Sequence, residues 1–150
     1  MTTRITHWIG GASWTGTAER TGDVFNPATG QKTGVVDLAS TAVMDEAVAV
    51  AKKAQAEWGK ASLTKRATVL FAFRELLNER KEELAAIITA EHGKVLSDAL
   101  GEVTRGQEVV EFACGLPHLL KGSYSESVST GVDVYSMRQP LGVVGIISPF

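Results

Sequence analysis

Cysteine is almost absent from this sequence, since the 150 residues contain a single one, Cys114. One cysteine excludes an internal disulfide framework and suits a reducing compartment, so we expect a cytoplasmic protein. No uninterrupted apolar run approaches the roughly 20 residues that a membrane-spanning helix needs. The first residues also lack the apolar segment of a secretory signal. The sequence therefore predicts neither a membrane protein nor a secreted disulfide scaffold.

An excess of positive charge is missing as well. Fifteen lysines and arginines stand against 17 acidic residues, which gives a net charge of −2. This balance excludes the strongly basic surface that is typical of proteins binding nucleic acid or anionic membranes. His7, His92 and His118 are scattered without metal-ligand spacing, so no metal site is expected. Length and composition are those of one globular domain.

The most strongly patterned stretch is the last one, Arg138–Phe150, which reads RQPLGVVGIISPF. Its apolar, β-branched residues, bounded by Gly and Pro, predict a strand over Val143–Ile147 that is buried on both faces of a parallel sheet. A parallel neighbour requires a crossover of a dozen or more residues. Only three residues follow Ile147. We therefore expect the sequence to be the front piece of a longer α/β protein.

The first forty residues read as short strands and turns. Ile5–Gly11 is a strand entering a Gly-Gly turn, and Ala12–Thr15 returns as its hairpin partner. Thr17–Gly22 reads as a polar loop. The Asn-Pro and Thr-Gly pairs in Val24–Gly30 predict a turn, because Pro fixes φ and Gly accepts positive φ. With a further strand at Val35–Leu38, this part predicts a small outer meander.

Four helices and a hairpin follow. Apolar positions at 3–4 spacing predict four helices. The first is capped by Ser40 or Thr41 and runs to about Trp58, the second starts at Ser62, the third covers about Lys81–Glu91, and the fourth runs from about Ser97 to Phe112 or beyond. Ser, Thr, Tyr and Val then alternate from 123 to 136 around a Thr-Gly turn, which predicts an exposed two-stranded ribbon. Such a ribbon is marginal alone in water, so we expect it to pack on another part of the chain or on another subunit.

The fourth helix carries an arginine opposite its apolar stripe. At 100° per residue Arg105 lies away from that stripe, with Val109 and Phe112 on its own side. One interpretation is a surface ion pair with Glu102 or Glu108, worth about 0.2–0.5 kcal/mol. The other is a carboxylate-binding residue, because guanidinium offers a planar bidentate fork. The residues alone favour the surface pair. The stripe itself consists of Leu96, Leu100, Val103, Gln107, Val110 and Cys114.

The cysteine of that stripe invites a catalytic interpretation as well. A reactive thiolate needs a cationic or helix-N-terminal setting, and no histidine lies within one helical turn on the N-terminal side of Cys114. A small buried core residue is the favoured interpretation.

Several segments, in this order, resemble the N-terminal third of an aldehyde dehydrogenase. They are FNPATG at Phe25–Gly30, the helix with Trp58, EHGKVLSDALGEVTRG at Glu91–Gly106 and PLGVVGIISPF at Pro140–Phe150. Each is weak singly, but together they cover nearly the whole chain. GEVTRGQEVVEFACGLPHLLKG at 101–122, with DVYSMRQPLGVVG at 133–145, is similar to the CoA-acylating methylmalonate-semialdehyde (malonate-semialdehyde) dehydrogenase branch.

The resemblance implies an α/β fold that forms the N-terminal part of an aldehyde-dehydrogenase-like, Rossmann-type domain. In that arrangement residues 1–122 belong to the NAD-binding domain. Residues 123–139 are the β-ribbon of an oligomerisation domain, whose strands pair across the subunits of a homotetramer. Residues 140–150 are the first central strand of the NAD-binding domain. The absence of a GxGxxG motif is no departure, because this family holds the pyrophosphate differently.

The function implied is that of an NAD-dependent oxidoreductase with coenzyme A as co-substrate. It converts methylmalonate or malonate semialdehyde to propionyl-CoA or acetyl-CoA, with release of CO2, in valine catabolism. Two alternatives stay open: another aldehyde dehydrogenase, such as a succinate-semialdehyde type, or a non-catalytic, stand-alone helical assembly module.

The site residues implied are few. Ser148 and Phe150 correspond to positions that line the NAD site, and Arg105 corresponds to a helix arginine that contacts the substrate carboxylate. With the resemblance, carboxylate binding becomes the favoured role of Arg105. The nucleophilic Cys, the oxyanion-binding Asn and the acidic residue of the family are expected beyond Phe150. The 150 residues alone are therefore expected to be inactive.

Overall fold

The computed structural model describes residues 3–148, which begin with a small β region. The strands are β1 (Thr3–Ile5), β2 (Trp8–Ile9), β3 (Ala12–Ser13), β4 (Arg20–Phe25) and β5 (Lys32–Leu38). β1 and β4 flank β5, with β1 parallel and β4 antiparallel to it, and β2 and β3 form a separate hairpin.

The predicted hairpin and the predicted Asn-Pro turn are both confirmed. Gly10 and Gly11 join β2 to β3 with φ of +64° and +84°, the positive values that a tight hairpin turn requires. In the second turn the Gly30 N–H donates to the Asn26 carbonyl oxygen at 2.8 Å. The Asn26 side-chain oxygen also accepts from the Ala28 N–H at 2.8 Å. Local turn chemistry therefore determines both reversals.

The pairing of the first strand was not predicted. Arg4 on β1 donates from Nε and Nη2 to the Asp37 carboxylate at 3.0–3.1 Å and 2.6 Å. This bidentate contact lowers the pKa of Asp37, which is buried on β5.

The prediction of a polar loop over Thr17–Gly22 is wrong in its second half, because β4 already begins at Arg20. Pairing with β5 overrides the polar composition there.

The four predicted helices are confirmed. Ser40 Oγ accepts from the Val43 N–H at 3.4 Å and Ser62 Oγ from the Lys65 N–H at 3.2 Å, so a serine caps each of the first two. Gly93, at φ +85°, ends the third. Pro117 lies in the first turn of a further short helix. The helices are α1 (Thr41–Trp58), α2 (Leu63–Glu79), α3 (Lys81–His92), α4 (Leu96–Cys114) and α5 (Leu116–Leu119).

α4 packs on α2 and α3 to form the main core of the described chain. Ala85 on α3 and Ala99 on α4 are fully buried, and Val103 beside them is 8% exposed. Alanines at this contact let the two helix backbones approach closely, because they carry almost no side-chain volume. The closely packed pair holds α4 in place and leaves its opposite face outward.

The predicted ribbon is confirmed as β6 (Tyr124–Ser129) and β7 (Val132–Tyr135), joined through Gly131 at φ +69°. Every residue of both strands is exposed. The pairing register shifts within β6, where Ser127 has a φ of +53°. Asp133 stabilises this bulge, because its carboxylate accepts from the Ser127 N–H at 2.9 Å and from the Tyr124 hydroxyl at 2.7 Å.

The predicted central strand over Val143–Ile147 is not formed. The described stretch 141–148 contains no strand, and its residues are exposed. Leu141 is 95% exposed and Ile147 is 99% exposed. A strand exists only through hydrogen bonds to a partner strand, and no described strand pairs with this segment. The apolar pattern therefore indicates a segment suited to burial. The described residues include no neighbours that bury it.

Candidate functional site

The outward face of α4 is the candidate site. Val103, Gln107 and Cys114 turn one side of the helix inward, where they are buried. Arg105 lies on the other side, and its side chain is 82% exposed. The predicted position of Arg105 opposite the apolar stripe is therefore confirmed. The helical period of 3.6 residues explains the division.

Two large apolar side chains share this outward face with Arg105. Val109 is 69% exposed and Phe112 is 71% exposed. They follow Arg105 at four and seven residues, the spacing that aligns side chains along one helix face. At Gly101, one turn before Arg105, no heavy atom of the surroundings lies within 4 Å of where a Cβ would stand. The face thus combines one guanidinium with an apolar strip and open space.

Arg105 makes one ion pair, with Glu108. Its Nη1 lies 3.1 Å from Glu108 Oε2 in an i,i+3 arrangement, and both side chains are exposed. Exposed pairs of this kind contribute a few tenths of a kcal/mol. An incoming carboxylate can therefore replace Glu108 at small cost. The other predicted partner, Glu102, pairs with Lys94 instead.

An ion pair from α2 helps to hold α4 in place. Arg74 on α2 donates from Nε to Glu111 at 2.8 Å, and its Nη2 lies 2.7 Å from the same carboxylate oxygen. Hydrogen bonds to Glu111 and then to Glu75 raise the pKa of Arg74. Sequence reasoning missed the Arg74–Glu111 pair. No local spacing signals a contact between residues on two different helices.

Of the three predicted site residues, the structure describes Arg105 and Ser148. Ser148 lies in the exposed stretch after β7. Within residues 3–148 no hydrogen bond or ion pair joins it to Arg105. Phe150, the second predicted NAD contact, lies outside the described residues. The chain therefore positions Arg105 through its own fold, whereas Ser148 has no such support here.

Cys114 is a core residue, as predicted. Its side chain is buried at the end of α4, 8% exposed.

His7 packs against the Trp14 ring at a centroid distance of 5.2 Å. Over residues 3–148, no three side chains of His, Cys, Asp or Glu come together as a metal-binding group. In the same range, every helix is too short or too polar to span a bilayer.

Comparison with known proteins identifies the family. The family model described as the aldehyde dehydrogenase family matches residues 14–150. That match covers far more than half of the chain. The chain belongs to the aldehyde dehydrogenase family. The α/β fold class and the family resemblance predicted from the sequence are thereby confirmed.

Relatives within the aldehyde dehydrogenase family carry semialdehyde names. A malonate-semialdehyde dehydrogenase of Listeria monocytogenes serotype 4b is 44% identical over 147 residues, which are 98% of this chain and 30% of the relative. A candidate methylmalonate-semialdehyde dehydrogenase of Sinorhizobium meliloti 1021, solved in complex with NAD, matches with a TM-score of 0.90 and 44% identity. The match covers 95% of this chain and 29% of that one.

A third comparison helps to rank the branches of the family. The succinate-semialdehyde dehydrogenase of Burkholderia pseudomallei is 28% identical, with a TM-score of 0.77, and the match covers 85% of this chain and 27% of that one. The fold is therefore shared with several branches, whereas sequence identity is higher to the methylmalonate and malonate branch. The chain spans about 30% of the length of the curated relatives it matches.

Proposed function

We propose that this chain is the N-terminal part of an NAD-dependent, CoA-acylating dehydrogenase of methylmalonate or malonate semialdehyde. The product is propionyl-CoA or acetyl-CoA, with release of CO2, as in valine catabolism. The observation that supports this most is the exposed, weakly paired Arg105 beside an apolar strip on α4. Relatives at 44% identity that are named for these substrates support the same assignment.

Arg105 binds the carboxylate that distinguishes a semialdehyde from a simple aldehyde. Its guanidinium accommodates both carboxylate oxygens at once. The side chains of Val109 and Phe112 contact the short carbon chain between carboxylate and aldehyde. These contacts orient the substrate and exclude water from it. The residues therefore bind and position the substrate, and they do not take part in bond-making.

NAD, when bound, would supply the hydride acceptor for this chemistry, and coenzyme A would supply the acyl acceptor. Ser148 and Phe150 contact the cofactor when the last segment is paired as the first central strand of the NAD-binding domain. Because Cys114 is buried in the helical core, it does not serve as the nucleophile. The nucleophilic cysteine, the oxyanion-binding asparagine and the acidic residue belong to the longer protein. The 150-residue chain alone is expected to be catalytically inactive. The longer protein is expected to be cytoplasmic.

The ribbon of β6 and β7 is the oligomerisation element. Its strands are fully exposed, and Tyr124, Val134 and Tyr135 each present more than half of their surface. Strand pairing with the ribbon of another subunit would bury these side chains. The proposed assembly is a homotetramer, with residues 123–139 as its oligomerisation segment and residues 1–122 and 140–150 in the NAD-binding domain.

The test is Arg105→Leu in the longer protein, assayed with malonate semialdehyde and with propanal. Loss of charge-assisted hydrogen bonds should lower kcat/KM for malonate semialdehyde roughly 10- to 100-fold and leave propanal nearly unchanged. Glu108→Gln is the control, since it removes the surface pair and keeps the guanidinium. Equal losses with both substrates would contradict carboxylate binding.

The alternatives are tested by the same protein and by the isolated chain. A succinate-semialdehyde dehydrogenase would turn over succinate semialdehyde faster than malonate semialdehyde and would not require coenzyme A. A stand-alone assembly module would be a monomer that unfolds cooperatively as 150 residues. We expect neither result.

A further inference from the structure

A small cavity lies between the start of α2, the end of α5 and the chain that follows the ribbon. Its volume is about 300 Å³. The lining residues are Leu63, Arg66, Leu120, Arg138, Gln139 and Pro140. None of them is on α4, so the cavity is separate from the face that carries Arg105.

Two arginines line this cavity and no acidic residue does. Neither Arg66 nor Arg138 makes an ion pair with any residue from 3 to 148, although all the other arginines except Arg20 do. Like charges that share a cavity repel each other, and the repulsion grows as water is excluded. A bound negative group would remove this cost.

Arg66 carries a second sign of a missing partner. Its Nε is buried and makes no hydrogen bond within the described chain. Buried N–H groups in folded proteins are almost always paired, and an unpaired one is destabilising. The Nε–H is also one arm of the fork with which arginine binds an oxyanion. The unpaired donor and the unpaired charge therefore occur on the same side chain.

The surrounding groups add to the same preference. Leu63 is the first residue of α2, whose N-terminal end carries partial positive charge. Leu63, Leu120 and Pro140 supply apolar walls, which strengthen electrostatic attraction by limiting water. Gln139 supplies a neutral amide that donates hydrogen bonds. The lining side chains thus offer guanidinium and amide N–H donors to an anion, and the amide oxygen of Gln139 is their one acceptor.

We propose that this cavity binds a small oxyanion, a carboxylate or a phosphate group, between Arg66 and Arg138. Arg66 donates hydrogen bonds to the oxyanion from Nε and a terminal nitrogen. Arg138 contacts it from the segment that precedes residue 141. Binding would also fix that segment against α2. The site does not depend on the function proposed above, because it uses none of the residues of the α4 face.

The test is a calorimetric titration of the longer protein with oxyanions. Inorganic phosphate and acetate are titrated separately, which distinguishes the two oxyanion classes, and sodium chloride at matched ionic strength is the control. We expect a saturable heat of binding with at least one oxyanion. Chloride should give small heats that do not saturate.

Variants locate the binding. Arg66→Gln and Arg138→Gln should each weaken the binding of the oxyanion roughly 10- to 100-fold. Arg20→Gln should leave binding unchanged, because Arg20 is exposed on β4. Oxyanion heats that do not saturate, or that chloride reproduces, would overturn the proposal without any variant. Saturable binding that survives both substitutions would overturn it as well.

Discussion

The helical layer and the ribbon use apolar side chains in opposite ways. In the layer of α2, α3 and α4, Ala85 and Ala99 are fully buried at the contact between two helices. In the ribbon, Val134 and Tyr135 are 52% and 68% exposed. The contact between α3 and α4 is satisfied within the chain, whereas the ribbon presents its apolar surface outward. The first supports the stability of the described chain, and the second is the region that we propose for assembly.

The largest effect on stability is expected from Ala85→Leu. The added atoms have no room at a fully buried position, so overpacking should lower the free energy of unfolding by about 1–3 kcal/mol. Thermal or urea unfolding followed by circular dichroism measures it. Ala86→Leu is the matched control, since Ala86 is the next residue of α3 and is exposed. Equal destabilisation by both variants would mean that the α3–α4 contact is not the tight one described.

An intermediate effect is expected on association from Val134→Lys. A lysine on β7 would prevent burial of this side chain between two ribbons, and the added charge would repel its counterpart. The association constant of the longer protein should fall at least about tenfold, while the helical layer keeps its stability. Sedimentation velocity measures the first and circular dichroism the second.

The control for this variant is Ala86→Lys, which places the same charge on an exposed helix position. Unchanged assembly of the Val134→Lys protein would contradict the assignment of the ribbon to oligomerisation.

The smallest effect is expected from acid on the ribbon. Hydrogen bonds from the Ser127 N–H and then from the Tyr124 hydroxyl lower the pKa of Asp133. Because the pKa of Asp133 is lower in the folded state, the ionised carboxylate stabilises the bulge at pH values above its unfolded-state pKa of about 4. This stabilisation is lost as the pH falls through the folded-state pKa. Amide NMR signals of Val132 and Val134 should therefore change below about pH 4.

Asp133→Asn provides the comparison for the acid titration. The variant should lack this pH step, since an amide does not titrate there. Asp98→Asn, on exposed helix surface, should keep it. A step of the same size and midpoint in all three proteins would show that another group controls the ribbon.

Local signals in the sequence were sufficient for the four long helices and the turns, but not for the short helix α5. Ser40 and Ser62 cap α1 and α2 through contacts three residues away, and Gly93 ends α3 within its own turn. Gly131 reverses the ribbon in the same local way. Periodicity also located Arg105 on the outward face of α4, because the helical period depends only on residue number.

Contacts between distant residues could not be predicted in this way. The β1–β5 pairing depends on Arg4 meeting Asp37, and the position of α4 depends on Arg74 meeting Glu111. Neither pair has a spacing that a pattern could register. The prediction of a strand over Val143–Ile147 was wrong for the opposite reason. Its apolar pattern is strong, but a strand also requires hydrogen bonds to a neighbouring strand.

Gly93 and Pro27 connect two parts of the chain that the sequence presents as separate motifs. A Cβ on Gly93 would lie 3.1 Å from Pro27 Cγ, and Gly93 has a φ of +85°. A side chain at position 93 would therefore meet the Pro27 ring, and the positive φ would strain it in any case. The FNPATG and EHGK motifs thus meet in space at this contact. A substitution at Gly93 is expected to disturb the β region as well as the helix that Gly93 ends.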